Sequence, residues 1–268
     1  MGSATREALA SAKTALAALA STASSGAVAL TAGTELFQAG RVIGSSAQLR
    51  TTLADPSAEP ADKAAVVDAL FSSLGAPARA LLSSIVATRW STPDDLLAGI
   101  EEVGIRAIAN SAPGSSIEAE LFTFGKAVAS DAALELAVGS KLGSSESKSV
   151  LVSSLLKGKA SAQTLAIVDH LVQQPRGRRI NELTRHAASV VADEANLAVA
   201  TITSAAPLSA SQLERLRAGL AKSHGRDLKL NLVIDPQVLG GIRVQIGDDV
   251  IDGSVSTRLT ELRLRLAS

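Results

Sequence analysis

Three aspartates near the end of the chain, Asp248, Asp249 and Asp252, are the side chains with the clearest potential for chemistry. Carboxylates grouped in one loop suit a hard cation such as calcium or magnesium. The spacing, however, lacks the alternating acidic residues and the later glutamate of a calcium-binding loop. Asp248 and Asp249 are also common hairpin-turn residues, and Asp252 before Gly253-Ser254 suits a helix N-cap. We interpret all three as turn and cap residues and predict no metal site.

A basic cluster, Arg176-Gly177-Arg178-Arg179, is the second candidate. It could bind a phosphate or the acidic surface of a partner, and it raises the alternative of a nucleic-acid-binding helical regulator. No aromatic residues interleave with the arginines to stack on bases, and the formal net charge of the chain is zero. We therefore predict no nucleic-acid binding and interpret the cluster as a solvated turn between two helices, while contact with an acidic partner stays open.

Other reactive residue types are sparse. The chain has no cysteine, which excludes disulfides and thiolate ligands or nucleophiles. His170, His186 and His224 have no metal-ligand neighbour at helical spacing, and we interpret them as structural. No GxSxG motif and no phosphate-binding glycine pattern occurs. The acidic pairs Asp94-Asp95 and Glu101-Glu102 are assigned to helix starts or exposed faces. The sequence predicts neither catalytic residues nor a cofactor.

The elements that position these residues are helical up to about residue 195, where apolar residues recur at helical spacing. One stripe contains Ala64, Val67, Leu70, Phe71 and Leu74. Apolar residues make up 46% of the chain and aromatic residues only 2%, so the core must be built from small and aliphatic side chains. Breaks are predicted at Asp55-Pro56-Ser57, Gly75-Ala76-Pro77, Ser91-Thr92-Pro93, 112–116 and 174–177.

The last part of the chain has the period of strands. Leu228, Leu230, Leu232 and Ile234 alternate with other residues until Asp235-Pro236 ends the strand. Further strands are predicted at 197–203, 242–246 and 250–251, with a helix between the first two that starts at the capping box of Ser209 and Gln212 and ends at Gly225. A last helix has the stripe Val255, Leu259, Leu262 and Leu266. The predicted fold is an α-helical bundle region, duplicated as described below, followed by a small α+β domain.

A long part of this region matches a known family. Residues 233–255, VIDPQVLGGIRVQIGDDVIDGSV, and the RL that follows resemble the C-terminal signature of the delta subunit of F-type ATP synthases. This subunit is called oligomycin-sensitivity-conferring protein in mitochondria, and the resemblance extends upstream through ITSAAPLSASQLERL. It implies a non-catalytic peripheral-stalk (stator) subunit, bound peripherally at the cytoplasmic face of the bacterial cell membrane. The implied partners are the alpha subunits of the catalytic head and the b subunit of the stalk, and the membrane is reached only through partners.

The helical region contains an internal repeat, because one offset of 85 residues aligns several of its motifs. Glu35-Leu36-Phe37 recurs as Glu120-Leu121-Phe122, and Lys63 aligns with Lys148. An ordinary delta subunit carries a single six-helix domain here, so the repeat indicates a long form and leaves open which copy contacts the head. The predicted domains are 1–112, the first helical repeat; 113–195, an inserted or duplicated repeat; and 196–268, the α+β domain that docks the stalk.

The resemblance implies that the N-terminal domain receives a helix of the head and that the C-terminal domain binds the end of the b subunit. Small alanines beside the leucines of the first helix would form a shallow surface for such a contact. The sole tryptophan is either an interface anchor or part of the core. The candidate partner-binding residues are therefore Leu9, Leu16, Leu19, Trp90, Leu259, Leu262 and Leu266.

Overall fold

The computed structural model describes residues 2–22, 26–139, 143–195, 197–225, 227–238, 240–246, 249–253 and 255. The chain divides into two compact units, Met1–Val191 and Ala192–Ser268. The first is helical and the second contains a four-stranded sheet, which confirms the predicted order of a helical region followed by a small α+β domain. The further division of the helical region at 112/113 stays a prediction.

Predicted breaks account for the helix boundaries at 55–59, 71–75, 111–116 and 174–179 and for the helix start at Pro93, whereas the boundaries at 46, 131 and 157–161 were not predicted. The helices up to residue 194 are α1 Ser3–Thr22, α2 Gly26–Ser45, α3 Ala47–Ala54, α4 Pro60–Leu70, α5 Ala76–Ala87, α6 Pro93–Asn110, α7 Ile117–Ser130, α8 Ala132–Gly139, α9 Ser145–Leu156, α10 Ala162–Gln173 and α11 Ile180–Glu194. The start of α6 shows why a helix boundary can be predicted from local residues. Thr92 is its N-cap, with the hydroxyl accepting from the Asp95 N–H at 3.0 Å, and Pro93 occupies the first helical turn.

Helix α6 lies at the centre of the first unit. Its residues from Glu101 to Ala109 are all buried, so it has no exposed face over these two turns. Leu96, Ile100 and Val103 belong to one apolar cluster, shared with α1 to α5, whereas Ile105 and Ile108 belong to a second cluster shared with α7 to α11. Most of the enclosed residues of α6 are apolar or small, including Gly99, Gly104 and several alanines, and the enclosed charged residues Glu101, Glu102 and Arg106 require partners.

Glycines set the distance at which α2 crosses α6. A Cβ added at Gly33 would lie 2.7 Å from the Gly104 carbonyl oxygen and 2.5 Å from Ile108 Cγ1. A Cβ added at Gly104 would lie 2.6 Å from the Phe37 ring. The two backbones are therefore in direct contact, and this contact depends on the absence of side chains at both positions.

We expect Gly33→Ala to lower the free energy of unfolding of the helical unit by about 1–3 kcal/mol, because backbone atoms of α6 would have to move. Gly219→Ala is the matched control in a helix of the second unit, where an added Cβ meets nothing within 4 Å. There the higher helix propensity of alanine should stabilise, by up to about 1 kcal/mol. Thermal denaturation followed by circular dichroism measures both. A Gly33→Ala chain as stable as the unsubstituted protein would contradict the close crossing.

Two pairs of helix starts recur at the predicted offset, and one pair of contacts recurs within one residue of it. Helices α3 and α8 begin 85 residues apart, at 47 and 132, and so do α4 and α9, at 60 and 145. The Glu35 carboxylate accepts from the Gly75 N–H at 3.0 Å, at the start of α5. The Glu120 carboxylate accepts from the Ser161 N–H at 2.8 Å, at the start of α10. The same two motifs therefore make the same kind of helix-start contact.

The apolar stripe predicted after Ala61 is correct at Val67, Phe71 and Leu74, which are buried, and wrong at Leu70, which is 57% exposed. The reason is local. Helix α4 ends at Leu70, and Phe71 has a non-helical φ of −115°. The residues from Phe71 onward reach the core through a turn, so helical spacing no longer predicts which side chain points inward.

The second unit is a mixed sheet with one crossover helix. Its elements are β1 Ala198–Ser204, α12 Ala210–His224, β2 Leu228–Ile234, β3 Ile242–Ile246 and β4 Asp249–Asp252. The strand order is β2-β1-β3-β4, with β1 parallel to β2 and antiparallel to β3. The predicted capping box is present, since Ser209 and Gln212 exchange side-chain to backbone hydrogen bonds. Gly225, at φ 71°, ends α12 as predicted.

The sequence explains the backbone conformation of the segment between β2 and β3. β2 ends directly before Asp235-Pro236, and Gly240 and Gly241 have φ of 76° and 80°, where only glycine is unstrained. Ala200, Ile202, Leu220, Leu228 and Val244 form the core of the unit. The predicted return strand at 250–251 is confirmed as part of β4. The predicted last helix lies outside the described residues beyond Val255.

Candidate partner-binding site

The predicted contact residues of α1 lie on its inner side. Leu16 is buried in the first apolar cluster, and Leu9 is half-buried. Leu19 is also half-buried and packs against the same cluster. A groove of about 1120 Å³ lies along the start of α1, and the three leucines do not line it. We call it the α1 groove. Its walls come from the start of α1, the end of α3 and the loop 88–93, with the lining residues Gly2, Ser3, Ala4, Glu7, Ala8, Ser11, Thr51, Ala54, Asp55 and Pro56 outside that loop. Partner contact by the three leucines stays a prediction.

Trp90 forms part of the floor of the α1 groove. Its side chain is only 4% exposed, and its indole Nε1 donates to the Ile85 carbonyl at 2.9 Å. The ring fills the space above Gly99, where an added Cβ would lie 2.0 Å from it. These contacts favour the core alternative, in which Trp90 holds the α5–α6 loop against the bundle, and any direct contact with a partner stays a prediction.

The remaining candidates, Leu259, Leu262 and Leu266, lie outside the described residues. So do Asp248 and Ser254. Asp249 and Asp252 are the two ends of β4 and are exposed. Within the described ranges, no group of three His, Cys, Asp or Glu side chains could hold a metal ion.

A buried charged cluster, which sequence reasoning assigned to the surface, lies between α6, α10 and the turn that follows α10. The Glu101 carboxylate lies 2.6 Å from the Arg176 guanidinium, 2.9 Å from that of Arg178 and 3.4 Å from the His170 imidazole. The Glu101 side chain is only 5% exposed. The prediction that Glu101 and Glu102 occupy an exposed face was therefore wrong, because α6 has no solvent face at this level.

The same observation corrects the interpretation of the basic cluster. Arg176 and Arg178 are not simply solvated, since both bind Glu101. Arg176 also has φ of 47°, the left-handed region that residues other than glycine rarely adopt. The buried ion pair therefore holds the turn in a strained conformation. The signal available in the sequence was the small-residue composition of α6, which indicates a helix enclosed on all sides.

His170 has the structural role predicted for it. Its ring stacks on Phe37 of α2, with ring centroids 4.0 Å apart and the planes 8° from parallel. Burial lowers the pKa of the imidazole below its usual value, so the ring is neutral near pH 7. Burial alone would raise the pKa of the Glu101 carboxyl, but His170, Arg176 and Arg178 outweigh it and lower that pKa to about 2. Glu101 is therefore ionised at any ordinary pH.

Glu102 makes a second buried pair one residue along α6. The Arg106 guanidinium donates to its carboxylate at 2.8 and 3.0 Å, one helical turn away, and the Lys13 ammonium of α1 lies 3.7 Å from it. Charged side chains therefore join α6 to α1 on one side and to α10 on the other. The contacts of this unit suit a rigid scaffold.

Comparison with known proteins decides the family. The sequence profile described as ATP synthase delta (OSCP) subunit matches residues 107–266. The chain is 54% identical to the ATP synthase subunit delta of Leifsonia xyli over the whole length of both proteins. The chain belongs to the ATP synthase delta (OSCP) subunit family. Members of this family are structural, non-catalytic subunits of the peripheral stalk of F-type ATP synthases.

Other delta subunits match at lower identity. That of Streptomyces griseus is 39% identical over all of both chains, and that of Thermobifida fusca is 38% identical over 88% of this chain and 90% of the relative. The delta-family profile begins at residue 107, near the end of α6, so it leaves α1 to α5 unmatched. None of these delta subunits favours the nucleic-acid-binding alternative. None of the described helices is long and apolar enough to span a membrane.

Proposed function

We propose that this subunit ties the catalytic head of a bacterial F-type ATP synthase to the membrane-anchored b subunit, at the cytoplasmic face of the cell membrane. The helical unit contacts the alpha subunits of the head, and the sheet unit contacts the b subunit. The division of the chain into two units of different architecture carries this assignment. A link of this kind needs two separate contact surfaces and no reactive site. It resists rotor torque, so that proton-driven rotation is coupled to ATP synthesis.

We infer further that the helical unit contains two copies of one helical repeat. The matching starts of α3 and α8 and of α4 and α9 support this inference. So do the equivalent contacts of Glu35 and Glu120, and the burial of both Lys63 and Lys148 at 4% and 6% exposure. The two apolar clusters meet at α6, which completes the first copy and packs against the second.

The open surface for the head lies in the first copy. Helix α2 covers α6 along its length, from Gly44 beside Leu97 to Gly33 beside Ile108. Its Phe37 reaches α10 by stacking on His170. The surface of the second copy that faces α6 is therefore covered by helices of the same chain. In the first copy, α1 borders the α1 groove, which no described helix fills.

A charge placed in the α1 groove tests this assignment. Ser11 is exposed and lies in the groove, whereas Ala17 is exposed and does not line it. We expect Ser11→Arg to weaken binding of the full chain to the purified catalytic head by about tenfold or more, because a desolvated, unpaired charge opposes docking. Ala17→Arg should bind like the unsubstituted chain. Binding is measured by surface plasmon resonance, and thermal midpoints confirm that both variants fold.

Equal affinity of the two variants would place the head contact elsewhere. In that case the same assay with charges on α7 would test the second copy. Exposed Thr123 is a suitable position, because it lies outside the second apolar cluster.

A further inference from the structure

A second groove in the helical unit is lined by cations. It has a volume of about 670 Å³ and lies where α3, α6 and the turn after α10 meet. Its charged lining residues are Arg50, Arg176, Arg178 and Asp94. Leu97, Ala98 and Pro175 also line it and give it an apolar part. We call it the arginine groove.

The three guanidinium groups of the arginine groove are only partly neutralised. Glu101 lies beneath them and is a single carboxylate shared by Arg176 and Arg178. Arg50 has one long ion pair, at 3.5 Å, with Asp94, whose side chain is 84% exposed. Three positive charges thus face two negative ones, and the excess lies around an apolar surface.

Two of these arginines also have a guanidinium N–H group for which the described residues supply no acceptor. In the described part of the chain, Nε of Arg50 and Nε of Arg176 are shielded from solvent and have no hydrogen-bond acceptor. Buried donors usually have partners, so these two groups are unusual. Rotation of the side chains toward an acceptor in the groove would satisfy them. Planar guanidinium groups bind carboxylates through paired hydrogen bonds, which makes a carboxylate a suitable acceptor.

We propose that the arginine groove binds an acidic, amphipathic peptide segment of a partner chain, with carboxylates on the arginines and apolar side chains on Leu97, Ala98 and Pro175. The arginines come from two separate elements, α3 and the turn after α10, and they line a groove that also has an apolar part. A small anion would use the arginines and leave the apolar part of the groove uncovered. An extended or helical segment uses the charges and the apolar part together.

The test uses the full chain and a fluorescein-labelled helical peptide built of leucine, alanine and glutamate. Fluorescence anisotropy at low ionic strength should show saturable binding that weakens with added salt. Arg50→Ala should weaken this binding about fivefold through loss of one ion pair. Asp94→Asn should tighten it by a similar factor, because it removes the exposed negative charge of the groove. Arg185→Ala, an exposed arginine of α11 outside the groove, is the matched control and should leave the affinity unchanged.

Two further experiments test whether the groove selects a carboxylate-bearing peptide over a cationic peptide and over inorganic phosphate. A twin peptide with lysine in place of glutamate should not bind, and inorganic phosphate should displace the acidic peptide no better than sodium chloride at equal ionic strength. The proposal is overturned if the acidic peptide does not bind, if the lysine twin binds equally well, or if phosphate displaces the peptide specifically. It is also overturned if Asp94→Asn, which alters only an exposed side chain, leaves the affinity unchanged.

Discussion

Replacing Glu101 with glutamine is expected to lower the free energy of unfolding of the helical unit by about 3 kcal/mol. The substitution keeps the size of the side chain and removes the charge that Arg176 and Arg178 share beside His170. Removal of one partner from a buried ion pair typically costs about 3–5 kcal/mol, because the remaining charges lose their compensation. The lower end applies here, since the Arg176 and Arg178 side chains are 22% and 36% exposed and can turn toward water.

The pH dependence follows from the same carboxyl group. The folded pKa of Glu101 is about 2, against a usual value of 4.5. Because the folded pKa is depressed, the stabilisation is fully present above pH 4.5 and disappears as the pH falls toward 2. The shift corresponds to about 3 kcal/mol, in agreement with the expected cost of the substitution. The stability difference between the two proteins should therefore shrink between about pH 4.5 and 2.

Urea denaturation at several pH values measures both effects. Glu182→Gln is the matched control, because Glu182 is an exposed glutamate on α11. It should change the stability by no more than about 0.5 kcal/mol. If Glu101→Gln were as stable as the control at neutral pH, the Glu101 cluster would not hold the turn after α10 against α6.

Removal of the sheet unit is expected to abolish binding to the b subunit while the helical unit stays folded. The sheet determines where to cut the chain. β1 pairs with β2 on one side and with β3 on the other, so a truncation before β2 would leave β1 and α12 without their sheet. Ending the chain after Ala195 removes β1 with its partners and leaves the helical clusters intact.

The truncated chain should show the helical circular dichroism and the cooperative unfolding of the first unit. In a pull-down with the b subunit it should recover about one-hundredth or less of what the full chain recovers, since the contact surface itself is missing. The same truncated chain should still bind the catalytic head. Undiminished recovery of the b subunit would show that the stalk contact lies on the helices instead.

Elements specified by local chemistry could be predicted from the sequence. Ser209 and Gln212 start α12, Gly225 ends it, and Asp235-Pro236 and Gly240-Gly241 shape the chain between β2 and β3. In each case a side chain or a φ angle acts within a few residues. The positions of Thr92 and Pro93 at the start of α6 belong to the same class.

Features that depend on distant packing could not be predicted in this way. Glu101 is buried because α2, α10 and the turn after α10 enclose α6, and helical spacing within α6 does not contain that information. Leu70 is exposed because its helix ends there. Motifs that match at an offset of 85 residues were visible in the sequence, but the sequence did not show that α2 would reach α10 through the stacking of Phe37 on His170.

Proton-driven ATP synthesis in reconstituted vesicles tests the central claim most directly. Complexes are assembled with the full chain, with the chain ended after Ala195, or without it, and both ATP hydrolysis and gradient-driven synthesis are measured. A subunit that only links head and stalk predicts that the head hydrolyses ATP in all three cases, and that synthesis requires the full chain. Synthesis at normal rates without the full chain, or loss of hydrolysis when the chain is absent, would contradict a purely structural, stalk-linking role.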